Sequence, residues 1–371
     1  MKSFKNSNLP KLVAFFIVAM ILTCTVAYAA GGFYRPDNNV TDDNGKTEGN
    51  QMSSGESDKN NTEDDDVPTI KPIPEYFHYI TGLEITADER YRKPICFTFD
   101  TSAPQYGISD SYLLFEVPTE FGKTRYLAYS DNALSIGKIG ALAPTRGYIS
   151  NLASYFGGIL VSNGNDANIN NDSFSVTDGH LNLSEHIGYH YTELKNYSYT
   201  NGDLLSALIK NTKTSTVKIE SNTLPYIHNE YNKAPIKGNE VAEYVQIIYD
   251  KENTTEFLYS KEKQEYTLYK NGSIQTDMLN SKSCEFDNVV ILFTDSATYE
   301  TSDYTESVFD TAGSGRGVYL SQGTSIEISW TVTTEGRLVF LKEDGEQLII
   351  NRGSTFISII KSSLSKDLII R

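Results

Sequence analysis

The chain has 371 residues, enough for roughly two domains. Its 48 acidic and 32 basic residues give a formal net charge of −16. This balance argues against broad nucleic-acid binding, because such binding needs a basic face. Three cysteines are too few for a disulfide scaffold, and a single long apolar run does not make a polytopic membrane protein.

The N-terminus predicts export. Three lysines precede an uncharged, mostly apolar run over residues 12–30, which contains the small-x-small triplet at residues 27–29. The run is close to the length of a membrane span. Residues 1–30 are therefore predicted to be a cleaved signal peptide, an uncleaved membrane anchor, or a lipoprotein signal modified at Cys24. Each alternative places the rest of the chain outside the cytoplasm.

Residues 31–69 are predicted to be an acidic disordered linker. The segment has ten acidic and three basic residues, many Asn, Ser and Gly, and almost no large aliphatic side chain. It cannot bury enough apolar surface to offset the entropy cost of ordering it. We interpret its acidic run, residues 63–66, as part of this spacer; a cation or partner site is the alternative.

Residues 70–236 are predicted to form an α/β domain, because strand patterns alternate there with helical ones. The predicted strands cover residues 95–99, 112–117, 125–129 and 159–161, and the predicted helices lie near residues 149–156 and 204–209. Asn201 is placed to cap the second helix.

Residues 237–371 are predicted to form a β-rich domain. Asn271-Gly272 lies between two strand-like segments and predicts a tight hairpin, because both residues tolerate positive φ. The apolar run Val289–Phe293 indicates a central strand, and the last strands are predicted to form an antiparallel meander. The predicted fold class is therefore α+β, with a mixed α/β first domain and a mainly antiparallel β second domain.

Several short motifs follow one another in a recognisable order. They are Ile80-Thr81-Gly82-Leu83, Ala103-Pro104-Gln105-Tyr106-Gly107, Ile136-Gly137-Lys138-Ile139-Gly140, Gly313-Ser314-Gly315-Arg316-Gly317 and Asn351-Arg352-Gly353-Ser354-Thr355. In this order and spacing the chain resembles the YerB-like family of bacterial envelope lipoproteins. The resemblance implies two consecutive domains and no established activity. The chain departs from the family pattern at Ala143, Ser162 and Lys195, where the family tends to carry Arg or His.

The resemblance leaves four polar residues as a candidate ligand-binding cluster in the first domain: Glu116, Arg125, Arg146 and Asn196. An arginine guanidinium can hold a carboxylate or phosphate through two parallel hydrogen bonds. Glu116 is expected on a strand next to that of Arg125, so the cluster predicts an anion-binding pocket. The alternative is that each arginine forms a structural salt bridge.

Two other groups of residues have the composition of metal sites. His180, His186 and His190 are interpreted as surface or loop histidines, although two histidines at i, i+4 on a helix could bind zinc. Residues 166–170 copy the start of a calcium loop, but the later ligands are missing. We interpret that segment as an Asn-rich surface loop.

Nucleophilic and phosphate-binding motifs are weak. The glycine-rich segment Gly313–Gly317 is predicted to form a tight turn rather than a phosphate cradle, because no lysine or helix follows it. The sequence contains no Gly-x-Ser-x-Gly elbow. Cys96 is predicted to be buried in a strand and Cys284 to lie at the edge of one. A disulfide between these two cysteines is an alternative.

We expect an extracytoplasmic protein, secreted or anchored to the outer face of the cytoplasmic membrane, that acts as a non-catalytic binding module. Its expected partner is an envelope protein or an anionic cell-wall ligand, and it contacts the membrane through residues 1–30 if these are uncleaved or lipidated. No metal, cofactor or nucleic acid is expected. The alternative is an envelope hydrolase or transferase acting on cell-wall or lipid substrates. In that case Glu116 and the two arginines would converge in one cleft as acid/base and anion clamp.

Overall fold

The computed structural model describes residues 72–164, 179–193, 195–217, 224–300 and 305–371, without the side chains of 298–300 and 305–306. The predicted export segment, the acidic linker and the calcium-like loop at 166–170 lie outside these ranges.

The first part of the described chain alternates strands with helices, as predicted. Its strands are β1 (Ile95–Asp100), β2 (Leu113–Pro118), β3 (Thr124–Ser130), β4 (Ile139–Leu142), β5 (Ile159–Ser162), β6 (Leu181–Asn182), β7 (Tyr191–Glu193), β8 (Tyr197–Thr200) and β9 (Ile227–His228). Its α-helices are α1 (Gly147–Tyr155) and α2 (Gly202–Thr212). The predicted cap of α2 is confirmed, because the Asn201 side chain accepts a hydrogen bond from the Leu204 N–H at 2.9 Å.

The second part is built from strands and short connections. Its strands are β10 (Glu240–Val241), β11 (Tyr244–Asp250), β12 (Asn253–Ser260), β13 (Glu265–Lys270), β14 (Ser273–Ile274), β15 (Glu285–Phe286), β16 (Asn288–Thr294), β17 (Ser296–Glu300), β18 (Thr305–Phe309), β19 (Ser314–Ser321), β20 (Thr324–Val332), β21 (Leu338–Leu341), β22 (Ile349–Ile350), β23 (Thr355–Lys361) and β24 (Ile369–Ile370). The predicted hairpin at Asn271-Gly272 joins β13 to β14, and both residues have positive φ.

One mixed sheet of 14 described strands runs through most of the molecule. Its main path is β10-β20-β19-β16-β23-β2-β3-β1-β4-β8-β7. Off this path β5 pairs with β1, β6 pairs with β5, and β21 pairs with β20. Most pairs in the second part are antiparallel, so the α+β class is confirmed. The sheet contains strands from both sides of residue 236, and the predicted domain boundary there stays a prediction.

The last long strand differs from the prediction. β23 lies between β16 and β2 and is parallel to both, so the expected antiparallel meander ends at β21. Residues 355–360 are all buried, and residue 361 is partly buried. A strand that is buried on both faces suits a position inside a sheet that is covered on both sides. The central position predicted for Val289–Phe293 is confirmed, because β16 pairs with β19 and β23.

The large sheet has a separate hydrophobic core on each face. Alternate residues of a strand point to opposite faces. Leu114 and Tyr126 lie in one core with Phe257 of β12, which belongs to a second, six-stranded sheet. Phe115 and Leu127 lie in the other core together with helix α1. Residues next to each other on β2 or β3 are therefore in different environments.

The sequence predicted a tight turn at the glycine-rich segment Gly313–Gly317. This prediction is wrong, because β19 begins at Ser314. Gly315 pairs with Trp330, and a Cβ atom at Gly315 would collide with the Phe293 carbonyl oxygen. The missing side chains let the strand approach its neighbours closely.

The two described cysteines, Cys96 and Cys284, are free and buried, so no disulfide joins them. They lie in the two different hydrophobic cores. Burial raises the pKa of the Cys96 thiol, and it raises that of Cys284 to about 12. Both are therefore inert protonated thiols at neutral pH.

Candidate functional site

Glu116 is completely buried between the two sheets. It lies on β2 and forms an ion pair with Lys270 of β13. Its carboxylate also accepts hydrogen bonds from the hydroxyls of Thr124, at 2.7 Å, and Thr255, at 2.6 Å. Thr255 and Lys270 belong to the six-stranded sheet, so this carboxylate holds β2 against that sheet.

Arg146 lies at the N-terminal boundary of α1. Its Nε donates to Oε1 of Glu120 at 3.2 Å, and its Nη2 donates to Oε2 of the same carboxylate at 3.1 Å. This is the two-point grip that an arginine gives to a carboxylate. Glu120 lies in the short turn between β2 and β3, so the pair fastens that turn to the start of α1.

Arg125 has a different environment. It lies on β3, half-buried, and its Nη1 donates to the Pro144 carbonyl oxygen at 2.6 Å. Asp100 is its cross-strand neighbour, but the Asp100 carboxylate accepts hydrogen bonds from the N–H and hydroxyl of Ser102. Within the described residues Arg125 therefore has no carboxylate partner. Burial and the nearby Arg146 lower the pKa of Arg125.

The structure brings the two arginines together and separates Glu116 from them. Glu116 pairs across the strands with Tyr126, and Val117 pairs with Arg125. Cross-strand partners share a face of the sheet, so Glu116 and Arg125 are on opposite faces. The convergence of Glu116 with both arginines, which the enzyme alternative requires, is not found.

Asn196 lies apart from the arginines. It is an exposed turn residue between β7 and β8 with a φ of 67°. In the sheet β8 is separated from β3 by β1 and β4. Asparagine suits this left-handed backbone, which explains the residue by turn geometry alone. Whether the four predicted residues bind a ligand stays a prediction, but they do not form one cluster.

The three histidines are not arranged as a helical metal site. His180 Nε2 is 2.9 Å from the Ser162 hydroxyl, and burial lowers the pKa of His180. His186 ends a short 3₁₀ turn, so the i, i+4 spacing to His190 does not lie on a helix. Across the described ranges, no group of three or more His, Cys, Asp or Glu side chains is placed to hold a metal ion. None of the described helices is long and apolar enough to span a bilayer.

Sequence reasoning missed Glu120 and Lys270, the residues that decide the roles of Arg146 and Glu116. Glu120 is 26 positions from its partner, and Lys270 is 154 positions from its own. Neither pairing has a local sequence signal, because strand and turn packing create both. One sequence signal was usable, the alternation of side chains between the two faces of β2 and β3. Once the register of these strands is known, it places residues 116 and 125 on opposite faces.

These features define an α+β protein with one long mixed sheet, in which Arg125 of β3 lies near Arg146 at the start of α1. Two family models match the chain, both described as a protein of unknown function, DUF3048. The N-terminal domain model matches residues 80–215 and the C-terminal domain model residues 245–357. The chain belongs to this DUF3048 family, and the YerB-like resemblance is confirmed.

The fold is similar to the crystal structure of the YerB protein from Bacillus subtilis. The TM-score is 0.69 at 22% sequence identity, and the match covers 80% of this chain and 100% of that one. At this identity the similarity concerns the fold. No curated protein matches the chain.

Proposed function

We propose that this protein is an exported, non-catalytic binding module of the bacterial envelope, and that it holds an anionic group at Arg125. The observation that carries the proposal is the environment of this guanidinium. It is half-buried beside a second arginine, and its only hydrogen bond in the described structure goes to the Pro144 carbonyl. Partly buried charges are ordinarily paired with opposite charge, so this guanidinium is suited to binding an anionic group.

Electrostatics and geometry both support an anion at this position. Burial is the largest cause of the lowered pKa of Arg125, and Arg146 adds to it while Glu120 and Asp100 oppose it. A bound anion would favour the charged form of this guanidinium. Guanidinium groups bind carboxylates and phosphates through two hydrogen bonds. The N-terminus of α1 starts at Gly147, directly after Arg146, and has no side-chain cap. The backbone N–H groups of the first turn of α1 add positive potential at the end of the helix where Arg146 lies.

Arg146 is not proposed to bind the anion by itself. Its two-point contact with Glu120 already uses the planar edge of its guanidinium. The pair carries little net charge, so it leaves Arg125 as the binding cation. Glu116 and Asn196 have no part in this version of the site.

A thermal-shift panel on the full chain in mild detergent tests the binding function. The panel contains muropeptides, teichoic-acid fragments, lipid headgroups and acidic peptides. A ligand present at 100 times its dissociation constant stabilises the protein by about 2.7 kcal/mol, or several degrees at about 2–4 °C per kcal/mol. We expect at least one anionic panel member to give such a shift in the wild type and in Arg316→Gln, but not in Arg125→Gln.

Arg316 is the matched control because it is exposed and its replacement removes the same formal charge. Equal shifts in both variants would show that Arg125 does not bind the ligand. A flat panel on folded wild-type protein would favour a macromolecular partner instead, and crosslinking in intact cells would then identify it.

Protease treatment of protoplasts tests the proposed location. An exported chain is digested while a cytoplasmic marker protein survives. Protection of the chain together with the marker would contradict export. Metabolic labelling with a fatty acid, compared between wild type and Cys24→Ala, distinguishes lipid modification from the other two forms of anchoring or cleavage.

A further inference from the structure

Phe121 is unusual in both its backbone conformation and its exposure to solvent. It lies in the turn between β2 and β3, and its backbone has left-handed angles, φ 57° and ψ 37°. It is also 75% exposed to solvent. A bulky residue in this conformation is an outlier. Because most of the ring is exposed, its burial contributes little to the stability of the fold. Gly or Asn would suit the backbone better, so folding of this turn does not explain the phenylalanine.

The surrounding structure fixes the turn that displays Phe121. The Thr119 N–H donates to the Lys123 carbonyl at 2.7 Å. The Asn253 side chain donates to the Gly122 carbonyl at 2.6 Å, which ties the turn to the start of β12. The backbone that displays the ring is therefore fixed before any ligand arrives, and an aromatic side chain on a preorganised backbone is an efficient anchor for binding.

The same turn also contacts one of the two arginines. Glu120, next to Phe121, grips Arg146, and Arg125 follows on β3, four positions after Phe121. We propose that Phe121 is the apolar subsite of the anion site, and that the ligand is a short acidic peptide with an apolar side chain near its carboxylate. This inference rests on the proposed function of Arg125 and adds the class of ligand.

A peptide fits this surface better than a membrane does. In the two adjoining turns, residues 119–123 and 250–253, Phe121 is the one exposed large apolar side chain. Membrane docking through a surface requires a broad apolar face, whereas a single ring four positions along the chain from a cation is suited to one side chain and one carboxylate. An extended peptide advances about 3.3 Å per residue, so changing the number of residues between its carboxylate and its apolar group changes the distance that the peptide can bridge.

The experiment uses three fluorescein-labelled hexapeptide amides, each with one Asp and one Leu separated by one, two or three positions. Matched peptides carry Ser in place of Leu or Asn in place of Asp. Fluorescence anisotropy measures their affinity for the full chain in mild detergent. Inorganic pyrophosphate, titrated by calorimetry, probes the anion site without an apolar group.

The variant Phe121→Asn keeps a residue that tolerates the left-handed backbone, and Ile187→Asn is its control because Ile187 is 91% exposed in another part of the described structure. We expect Phe121→Asn to weaken the best Leu peptide about tenfold, as expected when part of a leucine side chain is no longer buried. Binding of the Ser peptide and of pyrophosphate should stay unchanged, and Ile187→Asn should behave as wild type. Arg125→Gln should lose all three ligands.

Three outcomes would overturn the inference. In the first, pyrophosphate binds at Arg125 but the Leu and Ser peptides bind equally; the apolar subsite then fails while the proposed function stands. In the second, neither pyrophosphate nor any peptide binds the wild type, and both fail together. In the third, vesicles of phosphatidylglycerol bind through Phe121 and the peptides do not, which assigns the ring to a membrane.

Discussion

Glu116 and Lys270 form an ion pair between two sheets of the molecule. Glu116 is fully buried and the Lys270 side chain is 9% exposed. Lys270 also donates to the Thr255 hydroxyl at 3.0 Å. A residue that the sequence suggests as an acid/base group is thus a structural carboxylate that fastens β2 to β13.

Removing the charge of Glu116 should destabilise the fold strongly. In Glu116→Gln the ammonium of Lys270 keeps its charge without a carboxylate, and breaking a buried pair costs about 3–5 kcal/mol. The double variant Glu116→Gln with Lys270→Met should recover a large part of that loss, because no buried charge remains. Urea unfolding followed by circular dichroism measures all three proteins. Lys342→Met, in an exposed pair with Glu346, is the control and should cost at most about 1 kcal/mol.

Asp277 should be a second strong link between distant segments. Its buried carboxylate accepts hydrogen bonds from the backbone N–H groups of Gly107, at 3.0 Å, and Ser109, at 2.9 Å. Asp277→Asn turns an amide donor toward one of these donors, and a buried donor without an acceptor costs about 1–3 kcal/mol. We expect a loss of this size in urea unfolding. Asp344→Asn, at an exposed turn, should change the free energy of unfolding by less than half as much, and equal losses would contradict the account.

His228 should make stability depend on pH. Burial lowers its pKa from 6.5 to about 4, and its Nε2 lies 2.9 Å from the Ile80 carbonyl oxygen. Between these pH values the unfolded chain binds a proton that the folded chain excludes. The stabilisation is therefore complete above pH 6.5 and is lost as pH falls toward 4, by at most about 3 kcal/mol.

The variant His228→Gln keeps a side-chain N–H donor but has no group that titrates in this range. Its free energy of unfolding should therefore fall less between pH 7 and pH 4 than that of the wild type, with carboxylate titration common to both. Urea unfolding at four pH values gives the comparison. Parallel curves for the two proteins would rule out the assigned role of His228.

Two glycines with the same backbone should respond differently to alanine. Gly122 has φ +70° and Gly272 has φ +74°. A Cβ atom at Gly122 would lie 2.5 Å from the Asp250 Cβ, whereas nothing lies within 4 Å at Gly272. Gly272→Ala should cost about 1 kcal/mol for the left-handed backbone, and Gly122→Ala should cost at least about 1 kcal/mol more for overpacking. Thermal unfolding of both variants checks this order, and a reversed order would contradict the packing of this turn.

Local sequence signals predicted the elements they govern. The Asn201 cap and the Asn271-Gly272 hairpin both depend on residues within a few positions, and the structure has both. The helix near Ile149 and the central strand β16 followed from their apolar patterns. The α+β class followed from the order of these elements, because alternation of strand and helix patterns is visible before any long-range contact is known.

Long-range pairing could not be predicted in the same way. β23 inserts between β16 and β2 by parallel pairing, and nothing in its own sequence identifies those partners. The Gly313–Gly317 segment carries turn residues, yet close packing against Phe293 and Trp330 makes it part of a strand. The sequence identified Arg125 and Arg146 as candidates but did not identify Glu120 as the partner of Arg146. That contact depends on where the turn between β2 and β3 meets the start of α1.

Isothermal titration with the anionic ligand that gives the largest thermal shift tests the anion site in the wild type, Arg125→Gln and Arg316→Gln. The titration is run at 50 and 200 mM salt. We expect Arg316→Gln to bind as the wild type does and Arg125→Gln to lose at least tenfold in affinity at both salt concentrations, because a charge-assisted hydrogen bond contributes about 1.5–3 kcal/mol. Equal affinities for the two variants would contradict an anion site at Arg125.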